Sequence, residues 1–194
     1  MNYKEVLTGN LYHASSNTNL QEIHPNPIGS YENRHLVFAA RLPSIAAIFL
    51  HNIGKDLTCR VEMKGNVPHL IERYAGAFET RYPEEPGAIY IVPPSSFSWA
   101  RERFPEKQRW QEDYVSELPV TPIEKIYIPN VRAHIRELID NGLISLQEDT
   151  KGKSLEQWLD ERFTLGTREY QYFYESLSNP SHIKAMIDAR KQVR

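Results

Sequence analysis

The 194-residue chain has one cysteine, Cys59. No internal disulfide can form, and no thiolate zinc cage can be assembled. That scarcity fits a reducing compartment, and a cytoplasmic location is the expectation. Long apolar runs are also missing: no window approaches the roughly 18 consecutive apolar residues needed to span a bilayer. No membrane partner is therefore expected. The opening residues, Met1 to Gly9, contain Lys4 and Glu5 and no apolar core, so they do not read as a secretory signal. Nor does one sign of charge dominate. The 23 Lys and Arg against 25 Asp and Glu give a net charge of −2, which argues against a nucleic-acid partner held by bulk positive charge. There is no internal repeat and no low-complexity tract. What remains is an ordinary globular composition, 40% hydrophobic and 25% charged, enough for one good core with an appended element.

The first informative stretch is Leu11-Tyr12-His13-Ala14-Ser15-Ser16. Residues 10 to 14 read as a strand, with a histidine near its end among small residues. Backbone N–H groups there can approach a ligand. Asn17-Thr18-Asn19 can cap a short turn through Leu20 and Ile23. The two prolines and the glycine of His24-Pro25-Asn26-Pro27-Ile28-Gly29 predict a loop with no regular element. Leu36 to Ala40 reads as a short buried strand. Pro43-Ser44 opens a helix with Ile45, Ala46, Ile48 and Phe49 on its apolar face, ending near Gly54. Leu57 to Met63 alternates apolar and polar residues, the period of a half-buried strand, with Cys59 on the apolar side as inert core. Ala88 to Val92 is a strand stopped by Pro93-Pro94. Tyr114 to Ser116 and Ile123 to Ile128 are two more.

Past Pro129 the period changes. Val131, Ile135, Leu138 and Ile139 lie at helical spacing, closed by Asn141-Gly142. Ser154 and Gln157 have the spacing of a capping box. Two further helices are predicted over 167–177, dense in tyrosine, and over 181–194. The expected organisation is a strand-rich domain over 1–129 and a helical C-terminal extension over 130–194.

Several side chains invite a chemical reading. His24, His35 and His51 are not spaced as a metal pair, and no second-ligand motif accompanies them, so no metal is expected. Arg101, Arg103, Lys107 and Arg109 form a basic run, but Glu102 and Glu106 interrupt it, as on a solvated face. The Tyr170–Tyr174 cluster reads as an aromatic helix face packed on the domain.

Taken in order, the strands resemble the ADP-ribosyltransferase fold, in particular the small bacterial rifampin ADP-ribosyltransferases. Tyr12-His13-Ala14-Ser15 stands for that family's first strand, and Leu36-Val37-Phe38-Ala39-Ala40 for the second. Tyr90-Ile91-Val92-Pro93-Pro94 and Glu102-Arg103-Phe104-Pro105 stand for the later strand and loop. The resemblance covers roughly residues 10 to 128 and rests on order and spacing rather than on any one motif. It implies an α+β fold with two small sheets around a cleft. It also implies NAD as a substrate and transfer of ADP-ribose to an unknown acceptor. Such a reaction needs NAD held bent, a hydrogen-bond donor on the adenosine-side ribose, an aromatic wall for nicotinamide and a carboxylate beside the reacting ribose. By the resemblance His13 is that hydrogen-bond donor, and Ser15 or Ser16 adds a hydroxyl or backbone contact.

Two positions depart from the family pattern. The wall falls on Val37, which cannot stack, leaving Tyr31 or Phe38 to replace it. The loop after Pro94 carries no carboxylate, so Glu112 is the first candidate, Asp113 the second and Glu117 a third. The alternative is a module of the same fold that binds a nucleotide or a protein without transfer.

Overall fold

The computed structural model describes residues 9–28, 34–51, 58–104, 113–148, 152–154 and 157–158. The fold is α+β and contains two sheets, one seven-stranded and one three-stranded. The chain divides into two compact units, Met1–Leu50 with Glu84–Arg136 and His51–Pro83 with Glu137–Arg194.

The larger unit carries the seven-stranded sheet. Its strands are β1 (Leu11–Ser15), β2 (Asn26–Ile28), β3 (Arg34–Ala40), β6 (Gly87–Val92), β7 (Ser98–Trp99), β8 (Asp113–Ser116) and β9 (Glu124–Ile128). The spatial order is β7-β8-β3-β1-β6-β9, with β2 added to β3, and every pairing is antiparallel. β1 is therefore central. Five residue pairs join it to β6, from Leu11↔Val92 to Ser15↔Ala88, including His13↔Tyr90. On its other side it meets β3 at Tyr12↔Ala40.

Alternation along these strands separates two faces. One carries Leu11, Val37, Ala39, Ala88, Tyr90, Val92 and Tyr114 in a single apolar cluster. It is roofed by loop residues Ile23, Phe97 and Val120, with Leu20 packed against them. Ile23 and Val120 exchange backbone hydrogen bonds at 2.8 and 2.9 Å, which ties the roof together. On the other face, Leu36 and Val115 pack with Ala100 and Phe104, which lie in and just after α3 (Ala100–Arg103). Helix α1 (Pro43–Ala47) lies against β1, β3 and β6. Gly87 shows how close this packing is. A Cβ there would come within 3.0 Å of both Leu50 and Val131 side chains and 3.4 Å of the Ser15 carbonyl.

Helix α4 (Val131–Asp140) starts where Asn130 Oδ1 accepts the Ala133 N–H at 2.9 Å. Its first turn is tied back by Val131 N–H to the Glu85 carbonyl and by an Arg132–Glu84 ion pair. Gly142, at φ 69, ends it in the left-handed conformation that glycine adopts without steric cost.

The smaller unit holds β4 (Cys59–Lys64), β5 (Val67–Glu72), α2 (Ala77–Arg81) and β10 (Ser145–Gln147). β4 and β5 form an antiparallel hairpin, and β10 runs parallel to β5. The buried Arg81 donates from Nη1 to the Cys59 carbonyl at 2.8 Å and from Nε to Tyr82 Oη at 3.0 Å. The Ser154–Gln157 capping box forms reciprocally: Ser154 N–H reaches Gln157 Oε1 at 2.9 Å, and Gln157 N–H reaches Ser154 Oγ at 3.1 Å. Trp158 then packs its ring on Tyr74 with centroids 5.4 Å apart.

Two expectations need correction. The segment predicted as an unstructured loop contains β2, because Pro27 lies in a strand paired with β3 alone among the described residues. A missing N–H is tolerated where it faces away from a ladder. The helix opened by Pro43 spans Pro43–Ala47, continues as turns to Leu50, and Gly54 lies outside the described residues. Within the stretch 130–194, the described residues include α4 and the three-residue strand β10. The helices predicted over 167–177 and 181–194 lie outside the described residues.

Candidate functional site

His13 sits on the central strand, on the loop-roofed face, at the point where β1 leaves the Tyr12↔Ala40 pairing with β3. Its Nδ1 lies 2.7 Å from the Phe38 carbonyl oxygen. A carbonyl can only accept, so Nδ1 carries the proton and donates. The side chain thereby fills a place that a backbone donor would take in a continued ladder. Burial is the larger influence on this imidazole and holds its pKa below the ordinary 6.5, while the bond to Phe38 pulls the other way. The neutral ring with Nδ1 protonated presents Nε2 as an acceptor. Nε2 has no partner among the described residues. A ligand hydroxyl would therefore donate to it, the reverse of the donor role expected for this histidine.

The segment that follows β1 is held by side chains. Ser15 Oγ accepts the Asn17 N–H at 3.1 Å, and Asn17 Oδ1 accepts the Asn19 N–H at 2.9 Å. Ser15 thus spends an acceptor site on a local turn, the ordinary behaviour of a serine after a strand. Tyr90, opposite His13, donates from Oη to the Asn17 carbonyl at 2.8 Å and accepts the Leu20 N–H at 3.0 Å. Lys125 Nζ donates to the Thr18 carbonyl at 2.8 Å.

The other predicted residues are placed differently. Val37 is buried in the cluster beneath the loop roof. Phe38, one residue on, projects to the opposite face, where it packs on Leu36, Ala100, Phe104 and Val115. Its carbonyl meets His13 but its ring does not share that face. Tyr31 and Glu112 lie outside the described residues. Asp113 opens β8 opposite Ala40 and is buried, at 7% exposure. By register it shares a face with Ala40 and Tyr12, opposite to His13. Glu117 is half exposed and tied to two cations: Arg103 Nη2 donates to Oε2 at 2.6 Å, and Arg34 Nη1 lies 3.6 Å from Oε1. Glu124, paired with Ile91, also projects away from the His13 face.

Of the basic run, Arg103 is in the Glu117 pair and Arg101 lies over the Trp99 ring at 5.6 Å. Lys107 and Arg109 lie outside the described residues. Among the described residues no three His, Cys, Asp or Glu side chains are grouped as metal ligands. His24 instead lies 3.1 Å from Glu22 on the surface. Cys59 is fully buried, and burial pushes its thiol up to about 12, so it is not a nucleophile at neutral pH. No helix among the described residues is long and apolar enough to cross a membrane.

Tyr90 is the residue that sequence reasoning missed. Its one signal was a hydroxyl in the otherwise apolar run Ala88-Ile89-Tyr90-Ile91-Val92. A buried tyrosine hydroxyl needs a partner, and here both partners are backbone groups of one loop. No protein-family profile, curated protein or solved structure matches the chain.

Proposed function

We propose that the larger unit is an ADP-ribosyltransferase-like module that binds a dinucleotide of the NAD class beside His13. The observation that supports this is the His13 imidazole itself. It is held in one tautomer by the Phe38 carbonyl, where the central strands part, and this leaves Nε2 as an acceptor with no partner among the described residues. A ribose hydroxyl is the matching donor. The binding reading is favoured over transfer because the described carboxylates within the strands of the sheet, Asp113 and Glu124, both project from the face opposite His13. Titration calorimetry with NAD tests it. His13→Ala should weaken binding by about 1–3 kcal/mol, the scale of a lost polar contact at a partly desolvated site. Wild-type protein that gives no heat and no thermal shift with NAD would remove the ligand from this reading.

The second reading is NAD-dependent transfer to an unknown acceptor. Its support is Asp113, a carboxyl group buried in the row Tyr12–Ala40–Asp113, one residue from His13 along β1. In that reaction the bond between ribose and nicotinamide breaks and its electron pair leaves with nicotinamide. The acceptor nucleophile bonds the ribose carbon and gives up its proton. A carboxylate at Glu112 or Asp113 would stabilise the positive charge that develops on the ribose. Glu112→Gln and Asp113→Asn distinguish the two. The true catalytic residue should lose roughly a hundredfold in nicotinamide release with NAD affinity nearly unchanged, because only the transition state carries that charge. NAD binding without nicotinamide release from the wild type leaves the binding module standing.

A further inference from the structure

We propose that Tyr90 is a positioning residue whose hydroxyl holds the 17–20 loop in place as a fixed wall of the His13 site, so that ligand affinity depends on it. The inference rests on the reading of His13 as a ligand contact, and it deepens that reading.

Tyr90 lies directly across from His13 on β6 and, by register, on the same face of the sheet. Its ring is 1% exposed within the apolar cluster. A phenylalanine would fill that space equally well. The hydroxyl is the difference, and both its bonds go to one loop. It donates to the Asn17 carbonyl at 2.8 Å and accepts the Leu20 N–H at 3.0 Å. The loop therefore lies over the face on which His13 projects and begins four residues after it. Lys125, the β9 partner of Tyr90, adds a second anchor through its 2.8 Å bond to the Thr18 carbonyl. Asn17 and Asn19 in this loop are both exposed to solvent. A loop held by strand side chains at Asn17, Thr18 and Leu20 keeps most of its conformational freedom already removed before a ligand arrives. Preorganisation of this kind raises affinity without adding a contact.

Tyr90→Phe tests the clamp by two readouts. The Leu20 amide loses its acceptor, so its hydrogen exchange should accelerate at least tenfold relative to the amides of β1. The Kd for NAD should rise about tenfold, the scale expected when a hydrogen bond fixing the site is lost. A merely structural tyrosine would lower the thermal midpoint and leave Kd unchanged. Unchanged Leu20 exchange, or accelerated exchange with Kd within twofold of wild type, overturns the proposal. If Tyr90→Phe does not fold, Lys125→Met, on the exposed strand β9, carries the same test through Thr18 with a smaller rise in Kd. Failure of the NAD reading is separately visible. In that case wild type and His13→Ala are alike in binding no NAD, and Leu20 exchange in Tyr90→Phe alone decides whether the hydroxyl holds the loop.

Discussion

The two faces of the seven-stranded sheet are built from alternate residues of the same strands and do different work. One is roofed by loops and carries His13, Tyr90, Val37 and Tyr114. The other packs on short helices and carries Phe38, Val115, Asp113 and, at its margin, the Arg34–Glu117–Arg103 cluster. A face covered by secondary structure satisfies its own backbone and offers little to a ligand. A face covered by loops leaves polar backbone and side-chain groups at its rim, where binding residues concentrate. His13 lies on the face covered by loops. The larger sheet therefore separates the polar contact from the carboxylates by one residue of register, and that single step separates the two functional readings.

The largest effect that would break this contrast is loss of the cluster under the loop roof. Leu11→Ala should cost about 2–5 kcal/mol of stability in a denaturant titration, since Leu11 is 1% exposed and its neighbours cannot all collapse into the gap. If the cost is under about 1 kcal/mol, the roofed face is not a packed core.

The helix-backed face is tested next by Gly87→Ala. A methyl group there meets Leu50 and Val131 at 3.0 Å, so overpacking of about 1–3 kcal/mol is expected in the same titration. A neutral result would mean that the contact with α4 yields easily.

His13 sharpens the contrast through pH. Its folded pKa is depressed below 6.5, so the folded state binds this proton less readily than the unfolded state does. Its contribution to stability is therefore whole above pH 6.5 and is lost as pH falls from there through the folded value. Thermal midpoints from pH 8 to 5 should fall more steeply for wild type than for His13→Gln. Parallel curves would mean that the imidazole is not desolvated.

The smallest effect should be at Glu117. Its ion pairs to Arg103 and Arg34 are more than a third exposed on each side, so solvent screens them. Glu117→Gln should change stability by about 0–1 kcal/mol, and less in 0.5 M salt than at low salt. A larger loss would make this cluster a structural anchor of the helix-backed face rather than a surface pair.

Much of the fold was legible before any coordinates. Alternation over 57–63 and the β-formers of 88–92 correspond to β4 and β6, and the helical spacing from Val131 corresponds to α4. The Ser154–Gln157 box was readable because both of its bonds are local. Segments whose structure depends on a distant partner were not. β2 exists because β3 pairs with it across Asn26↔Leu36, despite two nearby prolines. β10 exists because β5 accepts it in parallel from the far end of the chain.

The candidate site divides along the same line. The sequence by itself determined that a histidine stands near the end of an early strand among small residues, and that the one cysteine lies on the apolar side of its strand. These follow from residue type and near-neighbour spacing. Only the tertiary structure decided which ring nitrogen of His13 is protonated, because the acceptor is the carbonyl of Phe38, 25 residues away. It also decided that the Phe38 ring and Asp113 project opposite to His13, and that Tyr90 bonds the 17–20 loop from 70 and 73 residues away. Period-two patterning says which residues of one strand share a face. Which faces of different strands coincide is set by register, and register is a property of the assembled sheet.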